Sequence, residues 1–249
     1  MSEVLGIDFG GTGIKGALVN TETGELTAER FRIPTPEHAT PEAIADVVVQ
    51  IADHFKWKGP IGCTVPARVE HGIVRTATNI HALWIDTHVE ALLSEKTGCE
   101  VHVLNDADAA GVASVVFGSG QEETGLVFFL TVGTGIGSAI FYNKVLIPGT
   151  ELGHLRLKGA AAELYASDRT RLQQGLSWKK WAKRFQKYLD RIEFLFAPDH
   201  IIIGGGISRP TKVAEYEKHL STKAKLSFAS LENEAGIIGA AYYAANQKK

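Results

Sequence analysis

The chain has 249 residues, a formal net charge of −2, 45% hydrophobic residues and 22% charged ones. This is the balance of a soluble globular protein with a substantial core, and it argues against a general nucleic-acid binder. The two cysteines, Cys63 and Cys99, form no C-x-x-C pair, which excludes a disulfide framework and a thiolate metal site. No apolar run is long enough to span a bilayer, and the chain enters a strand at Val4 with no basic leader. A cytoplasmic protein with neither membrane nor nucleic acid as partner is expected.

In chain order, two apolar runs around Gly10–Gly13 predict a hairpin. The turn at 20–25 leads into a strand over 26–33, so three antiparallel strands open the fold. Thr40-Pro41 supplies a helix cap and a first-turn proline; Ile44, Val47, Val48, Ile51, Ala52 and Phe55 carry the helix toward Gly59. Residues 61–65 form a strand, and Thr87-His88-Val89-Glu90 has capping-box spacing for a helix that stops at Gly98. A strand over 101–104 and an alanine-rich helix over 107–116 close this half. The second half repeats the order: hairpin, turn at Tyr142-Asn143-Lys144, strand, helices, and a strand over 200–203. Ser177 caps a long helix with Trp178, Trp181, Ala182, Phe185, Leu189 and Ile192 on its apolar face, and 235–245 is a final helix. The expected fold is α/β with mixed sheets. A small N-terminal lobe, 1–108, is completed by the C-terminal helix 235–249, and 109–234 form a larger lobe.

The tetrapeptide Gly-Thr-Gly-Ile occurs at 11–14 and again at 133–136, 122 residues later and close to half the chain length. Each copy follows an apolar run and precedes another. Two similar half-domains facing one another are expected. Gly10, Gly11, Thr12 and Gly13 in one, and Thr131, Gly133, Thr134 and Gly135 in the other, would offer backbone N–H groups to one phosphate chain. Glycine is expected here for positive φ and for room against phosphate oxygens, with Lys15 adding charge. Asp8 sits where a carboxylate holds Mg²⁺ through water; a plain hairpin after an aspartate is the competing reading. A third cluster, Gly204, Gly205 and Gly206, follows the strand 200–203, and strand ends are where open α/β sheets bind ligands. No Walker loop occurs.

Asn105-Asp106 falls at a strand-to-helix junction, where Asp106 is either an N-cap or a general base for a substrate hydroxyl. Glu151-Leu152-Gly153-His154, on a predicted strand, and Glu163 suit hydrogen bonding to a polyhydroxyl ligand, although His154 alone is equally a satisfied structural histidine. Between Asp168 and Arg191 stand eight basic and two acidic residues. Lys180, Arg184, Lys187 and Arg191 form one helical stripe, which is either a solvated face or a track for a long polyanion.

With these pieces placed, the chain resembles the ROK family of sugar kinases, within the actin-like, ribonuclease-H-like ATPase superfamily, and nearest its polyphosphate glucokinase branch. The resemblance rests on Asp8-Phe9-Gly10-Gly11-Thr12, Thr78-Asn79, Leu104–Gly111, Val132–Gly137, Glu151–His154, Gly175–Trp178, Ile202–Ser208 and Ala235–Ala241, in family order. It implies a two-lobed fold with an internal duplication and a central cleft. It also implies phosphoryl transfer from inorganic polyphosphate, ATP or both to the 6-hydroxyl of glucose, with mannose as a second acceptor. Asp106 would be the base; Asn79, Asn105, Glu151, His154 and Glu163 would bind the sugar. The glycine turns and Lys15 would hold the donor, with Asp8 near Mg²⁺, and Lys180, Arg184 and Lys187 would guide polyphosphate. A homodimer is expected on the same ground. The cysteine zinc motif of many members is replaced by Lys158–Ala162, so no zinc is expected, and Ala67 stands where the family has glycine. The alternatives are a strictly ATP-dependent hexokinase and a sugar-sensing regulator; the regulator would need a DNA-binding domain before Val4. A filament-forming ATPase would leave the sugar set without purpose.

Overall fold

The computed structural model describes residues 2–78 and 80–247. The chain divides into two units, Met1–Ala113 with Asn233–Lys249, and Ser114–Glu232. In the first unit, β1 (Glu3–Gly10) and β2 (Gly13–Asn20) form a hairpin that turns through Gly11-Thr12, with Gly10 opposite Gly13. β3 (Phe31–Ile33) extends the sheet beyond β2. The strand predicted over 26–33 is therefore only three residues long, with Leu26 making an isolated bridge to Val19. The cause is local. The Asn20 carboxamide accepts the N–H groups of Glu22 and Thr23, and Gly24 N–H closes on Asn20 O, so the chain is drawn off the sheet line.

Thr40 caps α1 (Pro41–His54) by accepting Ala43 N–H. The helix ends five residues before Gly59, because Lys56 turns left-handed at φ 49°. β4 (Ile61–Val65) lies parallel to β1, and β5 (Val69–Glu70) and β6 (Ile73–Val74) form a small ribbon. α2 (Val89–Thr97) is capped by His88 rather than by Thr87. No capping box forms: the Thr87 hydroxyl donates back to Leu83 O, and Glu90 Oε1 instead accepts Val103 N–H on the outermost strand. That strand, β7 (Val101–Asn105), is parallel to β4 and leads directly into α3 (Asp106–Val116). The sheet order is β3-β2-β1-β4-β7.

The second unit repeats the plan. β8 (Leu126–Val132), β9 (Ile136–Tyr142) and β10 (Val145–Ile147) form the antiparallel meander. The ribbon β11 (Arg156–Leu157) and β12 (Ala160–Ala161) is followed by α4 (Ala162–Ala166), α5 (Asp168–Gln173) and α6 (Trp178–Phe196). β13 (His200–Gly204), α7 (Pro210–Tyr216) and β14 (Lys225–Phe228) complete it, in the order β10-β9-β8-β13-β14. In each sheet an antiparallel meander of three strands is joined by two parallel ones, so the duplication read from the glycine repeat extends to the whole sheet. α6 buries Trp181, Phe185, Tyr188, Leu189 and Ile192 with Phe128, Leu130, Ile201 and Ile203, and the Trp181 indole donates to Ala166 O at 2.8 Å. Among the described residues no helix is long and apolar enough to cross a membrane.

α8 (Ala235–Ala245) returns to the first unit and explains two glycines inside strands. A Cβ on Gly6 would lie 2.1 Å from Ile237 O, and one on Gly62 1.9 Å from Ala240 O. On the opposite sheet face, Gly16 makes the same allowance for Ile51 of α1. Bare strand backbone thus lets α8 settle directly on β1 and β4, whose ends carry Asp8 and Thr64. Gly62→Ala is expected to cost at least about 1–3 kcal/mol through overpacking, read as a lower urea midpoint. An unchanged midpoint would show that α8 does not pack this closely.

Candidate active site

Asp8 lies two residues before the end of β1 and faces Lys15 across the hairpin. The β1–β4 ladder stops at Ile7 and Cys63, and beyond it the fully buried Thr64 side chain takes over. Its hydroxyl accepts Phe9 N–H and donates to Asp8 Oδ1, both at 3.0 Å. Gly236 of α8 closes the other side, since a Cβ there would meet Asp8 Oδ1 at 2.8 Å. Burial pushes the Asp8 carboxyl above the ordinary aspartate range, against the Thr64 hydrogen bond and the Lys15 charge, which both pull it down. The Cys63 thiol beside it is pushed up to about 12 by burial and by Asp8, so it is no nucleophile.

The first glycine turn has its carbonyls engaged by protein donors. Thr35 Oγ1 donates to Gly10 O at 2.7 Å, and Arg32 Nη2 to Thr12 O at 2.6 Å. The Arg32 guanidinium also fills the space beside Gly13, 2.4 Å from where its Cβ would stand, whereas Gly11 has nothing within 4 Å. The expectation that these glycines serve positive φ is not met. None of Gly10, Gly11, Gly13, Gly133 and Gly135 lies in the left-handed region. At Gly10, Gly13 and Gly135 a neighbouring atom occupies the place of a side chain.

The second turn differs by one residue. Val132 pairs with Ile136, so Gly133-Thr134-Gly135 form a three-residue loop closed by Gly133 N–H on Gly135 O at 3.0 Å. Arg169 N–H, from the first turn of α5, holds Gly133 O. The bare face of Gly135 is filled by Glu163, whose Oε2 stands 2.4 Å from the missing Cβ and accepts Ile136 N–H at 3.4 Å. In the third cluster only Gly205 is left-handed, at φ 79°, and its Cα abuts the Val132 backbone. Gly204 makes room for the Phe129 ring.

Glu151 precedes and His154 ends a 3-10 turn (Leu152–His154), not the expected strand. Gly153 packs under Ile136 O, and Ser138 Oγ accepts Leu152 N–H at 2.9 Å, which bends the segment against β9. This brings His154 Nδ1 to 4.0 Å from Glu163 Oε1. At the β7–α3 junction, Asn105 Oδ1 accepts the N–H groups of Ala107 (2.8 Å) and Asp108 (3.3 Å), and Nδ2 donates to Ala67 O. Asn105 therefore supplies the cap, and Asp106 is an exposed residue opening α3, with Oδ1 2.9 Å from Ala107 N. Ala67 lies outside the left-handed region, so alanine in place of the family glycine carries no backbone strain. Asn79 lies outside the described residues. On α6, Lys180 and Lys187 are exposed, whereas Arg184 Nη1 is committed to Gln174 Oε1 at 2.8 Å and its guanidinium to the Tyr165 ring at 5.0 Å.

The ROK family profile matches residues 4–174. This chain belongs to the ROK family. A polyphosphate glucokinase of Mycobacterium tuberculosis is 44% identical over 238 residues, covering 95% of this chain and 89% of that protein. The crystal structure of an inorganic polyphosphate/ATP-glucomannokinase from Arthrobacter sp. strain KM superposes with a TM-score of 0.91 at 42% identity, covering the whole of both chains. A ROK family glucokinase from Streptomyces griseus, solved with glucose and AMPPNP, shares the fold at a TM-score of 0.82 and 23% identity, over 98% of this chain and all of that one.

Within its ROK fold, the first unit brings together Asp8, Lys15 and the glycine turn. The second joins Gly133–Gly135, Glu163, His154 and the turn at Gly205. Thr64, Thr35 and Arg32 escaped sequence reasoning. A lone hydroxyl residue in the otherwise apolar Ile61–Val65 was the available signal for Thr64; Thr35 and Arg32 carried none.

Because the folded state raises the Asp8 pKa, it binds the proton more tightly than the unfolded chain does. Stability therefore falls as pH rises from the unfolded aspartate value through the folded one. Asp8→Asn, which keeps an acceptor for Thr64, is expected to raise Tm of the free protein at pH 7 and to flatten its rise toward acid pH. A lower Tm in the asparagine variant would contradict the burial account.

Proposed function

We propose that this protein is a glucokinase that uses inorganic polyphosphate, with ATP as an alternative donor, and transfers the terminal phosphoryl group to the glucose 6-hydroxyl. Similarity along nearly the full length to the polyphosphate glucokinase and the polyphosphate/ATP-glucomannokinase supports it, and the second of these names supports mannose as a further acceptor. The observation that carries the reading is the division of labour at Asn105-Asp106. Asn105 accepts the N–H groups of Ala107 and Asp108, and the Asp106 carboxylate, exposed at the start of α3, is the acceptor for the hydroxyl proton. As the sugar oxygen bonds to the terminal phosphorus, its proton passes to Asp106 and the P–O bond to the rest of the donor breaks, leaving a chain shorter by one phosphate. Proton removal comes late in a loose transition state, so a well-placed carboxylate suffices.

Glu163 and His154 hold sugar hydroxyls, with Glu151 and Asn105 assisting; one Nδ2 hydrogen of Asn105 points to a ligand while the other serves Ala67 O. The glycine turns and Lys15 hold the donor, and the exposed Lys180 and Lys187 draw polyphosphate in by long-range attraction. Mg²⁺ would neutralise charge on the transferring phosphoryl group. Asp8 fits it, because its partly buried negative charge is undercompensated by Thr64 and Lys15. Magnesium keeps several of its waters, so donor phosphates and water would make up most of its shell. A cytoplasmic homodimer completes the proposal.

A coupled assay for glucose 6-phosphate, run with polyphosphate and with ATP, tests the assignment; no product with either donor would overturn it. Asp106→Asn should lower kcat at least about a hundredfold while the fold stays intact. Gly135→Ala should displace Glu163 and raise KM for glucose about tenfold or more, the scale of one lost hydrogen bond to a charged group. If KM for the donor rose instead, Gly135 would be a phosphate contact and nothing more.

A further inference from the structure

The basic stretch after residue 168 contains one buried acid that the functional reading leaves unused. Asp168, 7% exposed, is the first residue of α5 and is gripped by two cations: Arg171 Nε reaches Oδ1 at 2.7 Å, and Lys212 Nζ of α7 reaches Oδ2 at 3.2 Å. Arg171 is fully committed, since its guanidinium also lies 3.8 Å over the Trp178 ring. Lys212 is not. An ammonium has three donors, its side chain is 31% exposed, and its nitrogen stands 4.0 Å from where a Gly206 side chain would begin. One carboxylate against two cations leaves a surplus positive charge at the third glycine turn. The neighbouring residue, Arg169, supplies the N–H that holds Gly133 O of the second turn. The group therefore joins both glycine turns of this unit, and Asp168 prevents the long lysine side chain from wandering into solvent.

We propose that Lys212 is a donor-binding residue, its ammonium held by Asp168 beside Gly206 to receive phosphate oxygens of the polyphosphate chain. This rests on the polyphosphate-donor reading above. Asp168 is a positioning residue that reaches the donor only through Lys212. The arrangement differs in kind from the α6 stripe: Lys180 and Lys187 are solvated and act at long range, whereas Lys212 is fixed at a backbone turn and makes a short-range contact.

The test uses the full chain with inorganic polyphosphate of defined length. Lys212→Met should raise KM for polyphosphate about tenfold or more, the loss of one charged contact, with KM for glucose unchanged. It should also lower the slope of log(kcat/KM) against log salt by roughly 0.7, the value for one phosphate contact on a single strand. Lys212→Arg should restore most of both. Lys218→Met, on the exposed turn after α7, removes the same charge and controls for net charge alone. Unchanged donor KM and salt slope in Lys212→Met, or equal changes in Lys218→Met, would overturn the assignment. Should the unaltered protein form no glucose 6-phosphate from polyphosphate, the functional reading fails on its own. Calorimetric titration of polyphosphate into the unaltered and Lys212→Met chains then still decides whether Lys212 binds it, with equal affinities counting against.

Discussion

Holding a phosphate chain on backbone requires strand ends stripped of side chains, with their carbonyls turned away, because a carbonyl oxygen repels the anion that an amide attracts. At the glycine turns of this chain several carbonyls are taken by protein donors. Thr35 and Arg32 draw the carbonyls of the first turn, Arg169 N–H draws Gly133 O in the second, and Ser208 closes on Gly205 O in the third. Thr35, Arg32 and Arg169 belong to no glycine motif, yet each decides which way a glycine peptide faces. Among the glycines of these three turns, Gly11 and Gly133 have nothing within 4 Å of a built Cβ.

The two aspartates show how one side-chain type meets opposite environments. Asp8 is partly buried against Thr64 and Gly236, and burial holds its carboxyl above the ordinary aspartate range. Asp106 is exposed at the start of α3, where Asn105 accepts the N–H groups of Ala107 and Asp108. In the proposed mechanism, environment separates a metal-side carboxylate from a base, as it does wherever paired carboxylates share a mechanism.

The duplication was readable because a tetrapeptide repeated at half the chain length, and the sheets follow it strand for strand. Helices with one strong signal were readable as well. Thr40-Pro41 and Ser177 cap where their spacing indicated, and the apolar run 235–245 is α8. The errors arose where two local preferences competed. Thr87 and Glu90 had capping-box spacing, but Glu90 found an unpaired strand amide on β7, and His88 took the cap. Residues 26–33 alternated like a strand, but the Asn20 turn pulled them off the sheet. At the two hairpin turns the expected reason for glycine was wrong. Turn chemistry suggested left-handed φ, whereas space for Arg32 beside Gly13 and for Glu163 beside Gly135 decides the matter. Such contacts join residues far apart in the chain, and no local pattern encodes them.

The account stands on phosphate being held by backbone amides at strand ends, and amide chemical shifts read that directly. In ¹⁵N-labelled protein titrated with inorganic polyphosphate, the largest shift changes should fall on Gly10–Gly13, Thr131–Gly135 and Gly204–Gly206. Changes confined to the α6 face around Lys180 and Lys187, with the glycine amides unmoved, would contradict it.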